Sequence, residues 1–258
     1  MADLSARSIV ASTLLGTIPP RLPGRLLVAF AEEFGVNPGT TRVALSRMVD
    51  RGELHRETDG HYVLAGPLLE RQVRQEAGLA PRVRPWSGAW EVHVVLGGAR
   101  DAGERAGLRQ AAAHLGLRER REGVWLRPDN LDPERLPSAR EVVATQTERY
   151  LATPAGDPAA LVVELFDLEP WATEARKHIR RMSAMSDRLD AGSPGSLADG
   201  FAVAAHSLRH LVADPLLPVE LHPPEWPATA LRRSYDEYDR TYRRHLSAFF
   251  RSRSRLAG

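Results

Sequence analysis

The sequence predicts an α+β protein of several domains, with an N-terminal winged helix-turn-helix, a ferredoxin-like middle domain and a helical C-terminal domain. Three observations support this fold class. Helix-start and helix-stop residues mark three short helices before a hairpin signal at residues 59 and 60. Strand-like runs then alternate with helical periodicity up to residue 168, and the rest of the chain follows an almost wholly helical pattern.

The first two helices are bounded by capping and proline signals. Ser5 suits the N-cap of a helix that runs to about Leu15, after which a glycine and two prolines follow closely. A second helix is predicted over residues 23–34, and Gly35 suits a left-handed residue at its C-terminal end.

A third helix begins soon afterwards. Asn37 followed by Pro38 is a strong N-cap and first-turn pair, and the helix is predicted to run to about Arg51. Two helices joined by a short turn that contains glycine have the helix-turn-helix form. Asp59-Gly60 lies between two short extended runs and predicts a β-hairpin, so this part of the chain predicts a winged helix.

The middle of the chain follows a short polar helix and a proline-rich hinge. From Trp90 the pattern predicts the order β-α-β-β-α-β, which is the ferredoxin-like order. The predicted elements are a strand at 90–96, a helix at 100–116, strands at 123–128 and 141–146, a helix that starts at Asp157, and a short strand at 166–168.

The last third of the chain is predicted to form three helices at about 170–190, 197–213 and 227–251. The predicted divisions are therefore a winged-helix domain at 1–66, a linker helix and hinge at 67–88, a ferredoxin-like domain at 89–168 and a helical domain at 169–258.

Composition excludes several classes of protein. The absence of cysteine excludes disulfides, thiolate zinc sites and cysteine nucleophiles. No apolar run approaches the roughly 18 residues that span a bilayer, and the N-terminus lacks the features of a secretory signal, so we expect a cytoplasmic protein. The net charge is only +2, and Lys177 is the single lysine among 35 basic residues, so the abundance of arginine does not by itself indicate nucleic-acid binding.

The placement of arginines on the third helix does indicate nucleic-acid binding. Leu45, Met48 and Val49 share one side of this helix, which predicts its buried face. The second helix of a helix-turn-helix enters the major groove, where arginine matches the acceptors of guanine and threonine or valine methyl groups contact thymine. Arginines near the start of the preceding helix and residues beside the hairpin tip would contact phosphate.

The predicted DNA-binding residues are Arg21, Arg25, Thr40, Thr41, Arg42, Val43, Ser46, Arg47, Arg56 and His61. For each of them taken alone, the ordinary alternative is a solvated surface side chain in an arginine-rich protein.

Three separated segments resemble the PaaX-type transcriptional repressors, a family associated with phenylacetate catabolism. "TTRVALSRMVDRGEL" resembles the recognition helix of that family, "GVWLRPDNL" its middle-domain signature, and "DPLLPVELHPPEWP" its C-terminal proline landmarks. The segments occur in the same order over nearly the whole chain. The resemblance implies a homodimeric repressor that binds a palindromic operator and is released by an aryl-acyl-coenzyme A such as phenylacetyl-coenzyme A. It also implies that the helical domain at 169–258 binds the effector and forms the dimer.

Two segments contain candidate effector-binding residues. Trp125, Arg127 and Asp129 lie where a predicted strand ends, and a planar acyl group could stack there. His206 and Arg209 lie on a predicted C-terminal helix and could meet an acidic effector. His206 also lies four residues before His210, but no HExxH-like pattern accompanies this pair, so no metal site is predicted.

No catalytic residue and no cofactor are predicted, and the protein is expected not to be an enzyme. The middle domain is similar to the small endonuclease of CRISPR adaptation, which holds a metal through an aspartate at the end of the first strand. Here glycines follow that strand, and Asp101 already lies at the start of the next helix. The alternatives are a metal-dependent nuclease on this domain and a ligand-independent, architectural DNA-binding protein.

Overall fold

Ten α-helices and seven β-strands form within residues 5–98 and 100–255, which are the residues that the computed structural model describes. The chain is therefore a mixed α+β protein with a helical C-terminus. It divides into two compact units, each of which contains one antiparallel sheet. Within the described residues, the first unit holds 5–75, 177–208 and 230–255, and the second holds 76–98, 100–176 and 209–229.

The first unit begins with the predicted three helices and hairpin. Ser5 caps the first helix by accepting a hydrogen bond from the Ser8 amide, and Asn37 caps the third by accepting one from the Gly39 amide at 2.8 Å. The elements in this part are α1 (Ala6–Leu15), β1 (Arg21–Pro23), α2 (Gly24–Glu32), α3 (Pro38–Asp50), β2 (Leu54–Arg56), β3 (His61–Leu64) and the start of α4 (Pro67–Leu79).

The three strands form a sheet in the order β1-β3-β2. Gly60 has a φ of 82°, so the hairpin turn between β2 and β3 uses the left-handed conformation that glycine adopts without strain. The sequence did not predict β1, because three residues between prolines are too short for an alternating pattern. This strand joins the start of α2 to the hairpin by pairing Leu22 with Tyr62.

The core of this part is a single apolar cluster. Leu14 from α1, Leu27 from α2, and Leu45 and Met48 from α3 are buried together with Leu54 and Leu64 from the hairpin. At about 1.5–3 kcal/mol for each large apolar side chain that is buried, this cluster holds the three helices in fixed relative rotation.

The C-terminal helices α8 (Leu168–Asp190), α9 (Ser196–Val212) and α10 (Ala228–Arg255) contribute segments to the same first unit. Their contact with α2 is aromatic. Phe30 is fully buried, and its ring packs edge-on against neighbouring phenylalanine rings at centroid distances of 5.3 to 5.9 Å. This phenylalanine cluster contains five of the six phenylalanines of the chain, namely Phe30, Phe34, Phe201, Phe249 and Phe250.

The second unit is built on a four-stranded antiparallel sheet in the order β5-β6-β4-β7. Its elements in chain order are β4 (Trp90–Val95), α5 (Ala102–His114), β5 (Arg118–Arg121), β6 (Val124–Pro128), α6 (Pro137–Gln146), β7 (Thr147–Ala152), α7 (Pro158–Leu165) and a short 3-10 helix at Val219–Leu221. Two apolar clusters form its core, one around Trp90 and Phe166 and the other around Leu108 and Leu117.

Two predicted strands within the second unit are wrong. Residues 141–146 belong to helix α6, and residues 166–168 are not a strand. The last strand is instead Thr147–Ala152. The β-branched residues of "EVVATQ" favour a strand locally, but Pro137 at the first helical turn and burial of Val143 favour a helix. The polar strand β5 was not predicted, because "RERR" carries no apolar alternation.

A buried arginine joins three parts of the second unit. The Arg127 side chain is 1% exposed, and its guanidinium donates to the carbonyl oxygens of Leu115 at 2.6 Å and Leu216 at 3.1 Å. Gly116 has a φ of 68°, and a Cβ there would lie 2.5 Å from the guanidinium, so glycine is required. Burial lowers the pKa of Arg127 to about 10, while the charge of Glu91 opposes this shift. The side chain therefore stays charged at neutral pH.

Replacing Arg127 with methionine should destabilise the second unit by about 3 kcal/mol, because the Leu115 carbonyl oxygen loses its charged donor, the Leu216 carbonyl oxygen keeps only Asn130, and Glu91 loses a nearby cation. All five tryptophans lie in this unit, so tryptophan fluorescence during urea unfolding reports on it alone. Arg149→Ala is the matched control, because Arg149 pairs with Glu91 from a position that is 43% exposed. It should cost less than about 1 kcal/mol. Equal losses in the two variants would contradict the structural role of Arg127.

Candidate nucleic-acid interface

Helix α3 has one buried side and one open side. Leu45 and Met48 are buried in the core, and Val49 packs partly against it. The open side carries Arg42, Val43, Ser46 and Arg47, with Thr40 in the first turn, and all five are exposed. Val43 is 50% exposed, so its methyl groups are accessible beside the two arginines.

Thr41 does not lie on this open side. It is fully buried, and its hydroxyl contacts the carbonyl oxygen of Asn37 at 3.5 Å. A threonine can occupy the apolar side of a helix in this way, because its methyl group packs and its hydroxyl returns to the backbone one turn earlier. The other predicted residues of α3 are available to a partner.

The predicted arginines differ in their charge partners. Arg25, Arg42 and Arg47 are exposed and have no ion-pair partner among residues 5–98 and 100–255. Arg56 is also exposed, and its guanidinium carbon lies 6.0 Å from the centre of the Tyr62 ring. These four cations retain their full capacity to bind an anion.

Arg21 is occupied within the protein. Its Nε donates to Glu57 at 2.6 Å, and its Nη2 donates to Asp59. His61 contacts the same Asp59 carboxylate through Nδ1 at 2.9 Å. Glu57, Asp59 and His61 have ligand atoms within 4.8 Å of one another and could in principle hold a metal ion, but Arg21 already neutralises both carboxylates.

A groove of about 700 Å³ lies between α2, α3 and the hairpin. Arg25, Arg42 and Arg56 line it from three different elements. Three acidic residues also line it, namely Glu32, Asp50 and Asp59, and Asp59 is paired with Arg21. The N-cap of α2 is Pro23, which offers no side-chain capping bond. The first amide of the helix, that of Gly24, donates to the Gly60 carbonyl oxygen at 3.1 Å, so the amides that follow Gly24 in the first turn are the ones available to an anion at the groove.

The groove also contains residues that the sequence did not single out. Tyr62 supports Arg56, and Gly24 allows close approach of its ring, because a Cβ at Gly24 would lie 2.8 Å from Tyr62 Cε2. The alternation of "HYVL" places Tyr62 on one face of its strand. The groove itself became apparent only from the tertiary structure.

The five candidate effector-binding residues are not brought together. His206 belongs to the first unit and the other four to the second. Arg127 is committed to backbone carbonyls, Asp129 accepts from Arg84 and Arg149, and Trp125 packs partly against the core. His206 and Arg209 are exposed on α9.

The two histidines of α9 differ in their surroundings, because His206 is exposed and His210 is packed against Trp171. His210 stacks on Trp171 at a centroid distance of 4.7 Å, and its Nε2 lies 2.9 Å from the Trp171 carbonyl oxygen. Burial lowers the pKa of His210, which favours the neutral ring that stacks there. His210 therefore has a packing role within the second unit.

Two family descriptions and one solved structure match this chain. The family description "PaaX-like protein" matches residues 5–67, and "PaaX-like protein C-terminal domain" matches residues 166–252. A solved structure, "Uncharacterized protein Rv0674 from Mycobacterium tuberculosis", is 38% identical, with a TM-score of 0.71, and the match covers 95% of this chain and 98% of that chain. A comparison with curated proteins finds no match.

These matches place an N-terminal and a C-terminal PaaX-like segment in one chain. The class of protein that they define is a regulator. The chain belongs to the PaaX-like family, which confirms the resemblance found in the sequence. None of the helices among the described residues is long and apolar enough to cross a membrane.

The pairing at the hairpin tip predicts an acid-resistant carboxylate. A hydrogen bond from the His61 amide lowers the pKa of Asp59, and the His61 side chain and Arg21 lower it further, to about 2. Because the pKa is depressed from 3.8, the stabilisation is present above about pH 4 and is lost as the pH falls through 2. A carboxyl-carbon NMR titration of Asp59 should give this value, and Arg21→Ala should raise it only in part. A pKa of Asp59 near 3.8 in the unmodified protein would contradict the pairing.

Proposed function

We propose that this protein is a cytoplasmic, dimeric transcriptional repressor that binds a palindromic DNA operator through α3 and is released by a small acidic effector. The family membership and the surface of α3 support this function. The single observation that carries it is the combination of a buried apolar side and unpaired, outward-facing arginines on one helix.

The finer fold assignment is part of the proposal. Helices α2 and α3 are joined by a five-residue connection that contains Gly35, with a φ of 74°, and a three-stranded sheet with a hairpin follows. This order is that of a winged helix-turn-helix. In the second unit, the strand order β5-β6-β4-β7, with α5 and α6 as crossovers, is the ferredoxin-like order.

On DNA, α3 would lie in the major groove. Arg47 would reach a base edge, and Val43 would meet a thymine methyl group, which gives its exposure a purpose. Arg25, Arg42, Arg56 and the amides that follow Gly24 in the first turn of α2 would hold the backbone phosphates that run along the groove. Arg21 would contribute less than the sequence suggests, because Glu57 and Asp59 already bind it.

Regulation follows from the proposed repressor class. An acyl-coenzyme A such as phenylacetyl-coenzyme A would favour a conformation of the dimer whose two α3 helices no longer match the half-site spacing. Such a ligand weakens DNA binding by its difference in affinity for the two conformations. No catalytic step is needed for this function.

Arg47→Ala should reduce discrimination between DNA sequences. The test uses a duplex that the protein itself selects from a random pool, and measures binding to it and to its single-base variants by fluorescence anisotropy. We expect a loss of about 1–3 kcal/mol that is confined to one base pair in each half-site. Arg42→Ala or Arg25→Ala should instead weaken all duplexes alike and reduce the salt dependence.

Arg109→Ala is the matched control, because Arg109 is an exposed arginine on a helix of the second unit. It removes the same charge without touching α3. The unmodified protein and Arg109→Ala should discriminate equally between the base variants. If Arg47→Ala showed the same discrimination, the assignment of α3 as the sequence-reading helix would be wrong.

Phenylacetyl-coenzyme A should weaken operator binding by about tenfold, within the usual range of coupling free energies between two sites. The measurement is the same anisotropy titration with and without the thioester, with free coenzyme A as the control. Unchanged DNA affinity with a panel of aryl-acyl thioesters would instead favour a ligand-independent, architectural DNA-binding protein.

A further inference from the structure

A second cavity lies in the first unit, away from the arginine groove. Its volume is about 370 Å³, at the lower end of the roughly 300–1,000 Å³ range of ligand pockets. The turn between α8 and α9, the start of α9 and one side of α10 line it. Leu189, Leu197, Ala248 and Phe249 give it an apolar wall.

Two hydroxyl groups of the lining lack hydrogen-bond partners in the described part of the chain. Ser196 is only 7% exposed, and its hydroxyl has no hydrogen-bond partner among the residues that the structure describes. No other group in the described part of the chain occupies this hydroxyl, so it can bond to a ligand that enters the cavity. The Ser193 hydroxyl also lines the cavity and also lacks a described partner.

The charges around these hydroxyls favour an anion. Ser196 is the first residue of α9, a 17-residue helix whose N-terminus carries a partial positive charge. His245 lines the same cavity and contacts Asp190 through Nε2 at 2.9 Å, and Arg244 also binds Asp190, so this nearby carboxylate is already paired. The one acidic side chain in the lining, Glu33, is paired with Arg253 at 3.2 Å.

We propose that this cavity binds a small organic carboxylic acid. The carboxylate would accept hydrogen bonds from Ser193, Ser196 and the start of α9, and the apolar body would lie against Leu189 and Phe249. The site differs from the segments that the sequence suggested for an effector.

Occupation of the cavity would act on the DNA-binding helices by direct contact. Phe249 lines the cavity and packs on Phe30 of α2 at a centroid distance of 5.9 Å. Glu33, the residue that ends α2, lines the cavity as well. The ligand would therefore touch both the phenylalanine cluster and the helix that supports α3. This regulatory role rests on the proposed DNA-binding function, whereas the binding site does not.

The test is isothermal titration calorimetry of the full chain with phenylacetate and hexanoate, and with phenylacetamide as the uncharged analogue of the first. We expect saturable binding of at least one acid and about tenfold weaker binding of the amide. Ser196→Ala should weaken binding of the acid about fivefold, and Ala248→Phe should abolish it by filling the cavity. Ser247→Ala, one residue from Ala248 but outside the lining, should leave binding unchanged.

Three outcomes would overturn the proposal. They are the absence of saturable binding of either acid at about 10 mM, equal binding of acid and amide, and binding that Ser196→Ala and Ala248→Phe both leave unaltered. Ser196→Ala keeps the test decisive if Ala248→Phe fails to fold.

Anisotropy with the selected duplex then separates the two proposals. A severalfold change in DNA affinity at saturating acid, absent in Ala248→Phe, supports regulation through this cavity, and an unchanged affinity overturns it. If the protein binds the acid but no DNA duplex, the proposed function fails while the site stands.

Discussion

The account depends on the packing of the apolar side of α3 against the two helices before it. Leu45 and Met48 are 2% and 1% exposed, so any rotation of α3 about its axis would return large apolar side chains to water. At about 1.5–3 kcal/mol for each side chain, such a rotation costs more than the exposed arginines could recover through surface ion pairs. The orientation of Arg42, Val43 and Arg47 is thus a consequence of the core.

The phenylalanine cluster extends this constraint to the end of the chain. Because Phe30 of α2 is buried among rings from α9 and α10, the helices that present α3 share a core with the C-terminal helices. A ligand that alters the packing of Phe249 would change the surroundings of α2 through one contact. In the second unit, Arg127 has a comparable role, since it ties the segment after α5 and the proline-rich segment around Leu216 to the sheet.

Local signals in the sequence predicted most of the helices and the hairpin, because capping residues, prolines and Asp59-Gly60 act within a few residues of one another. Predictions from the sequence pattern were wrong where tertiary contacts determine the structure. "EVVATQ" has strand-forming residues but forms a helix, and Thr41 is polar but buried. Arg127 seemed available to a ligand and instead serves the fold, and Arg21 seemed free and instead binds two carboxylates. A partner that lies far away in sequence cannot be inferred from the spacing of residues in a single chain.

Amide hydrogen exchange of the full chain, with and without a duplex selected from a random pool, tests the central claim most directly. The account predicts new protection in α3, at the amides that follow Gly24 in the first turn of α2 and at the hairpin tip, because DNA would cover these segments. Tight binding of the duplex with unchanged exchange in α3, and protection confined to other parts of the chain, would contradict it.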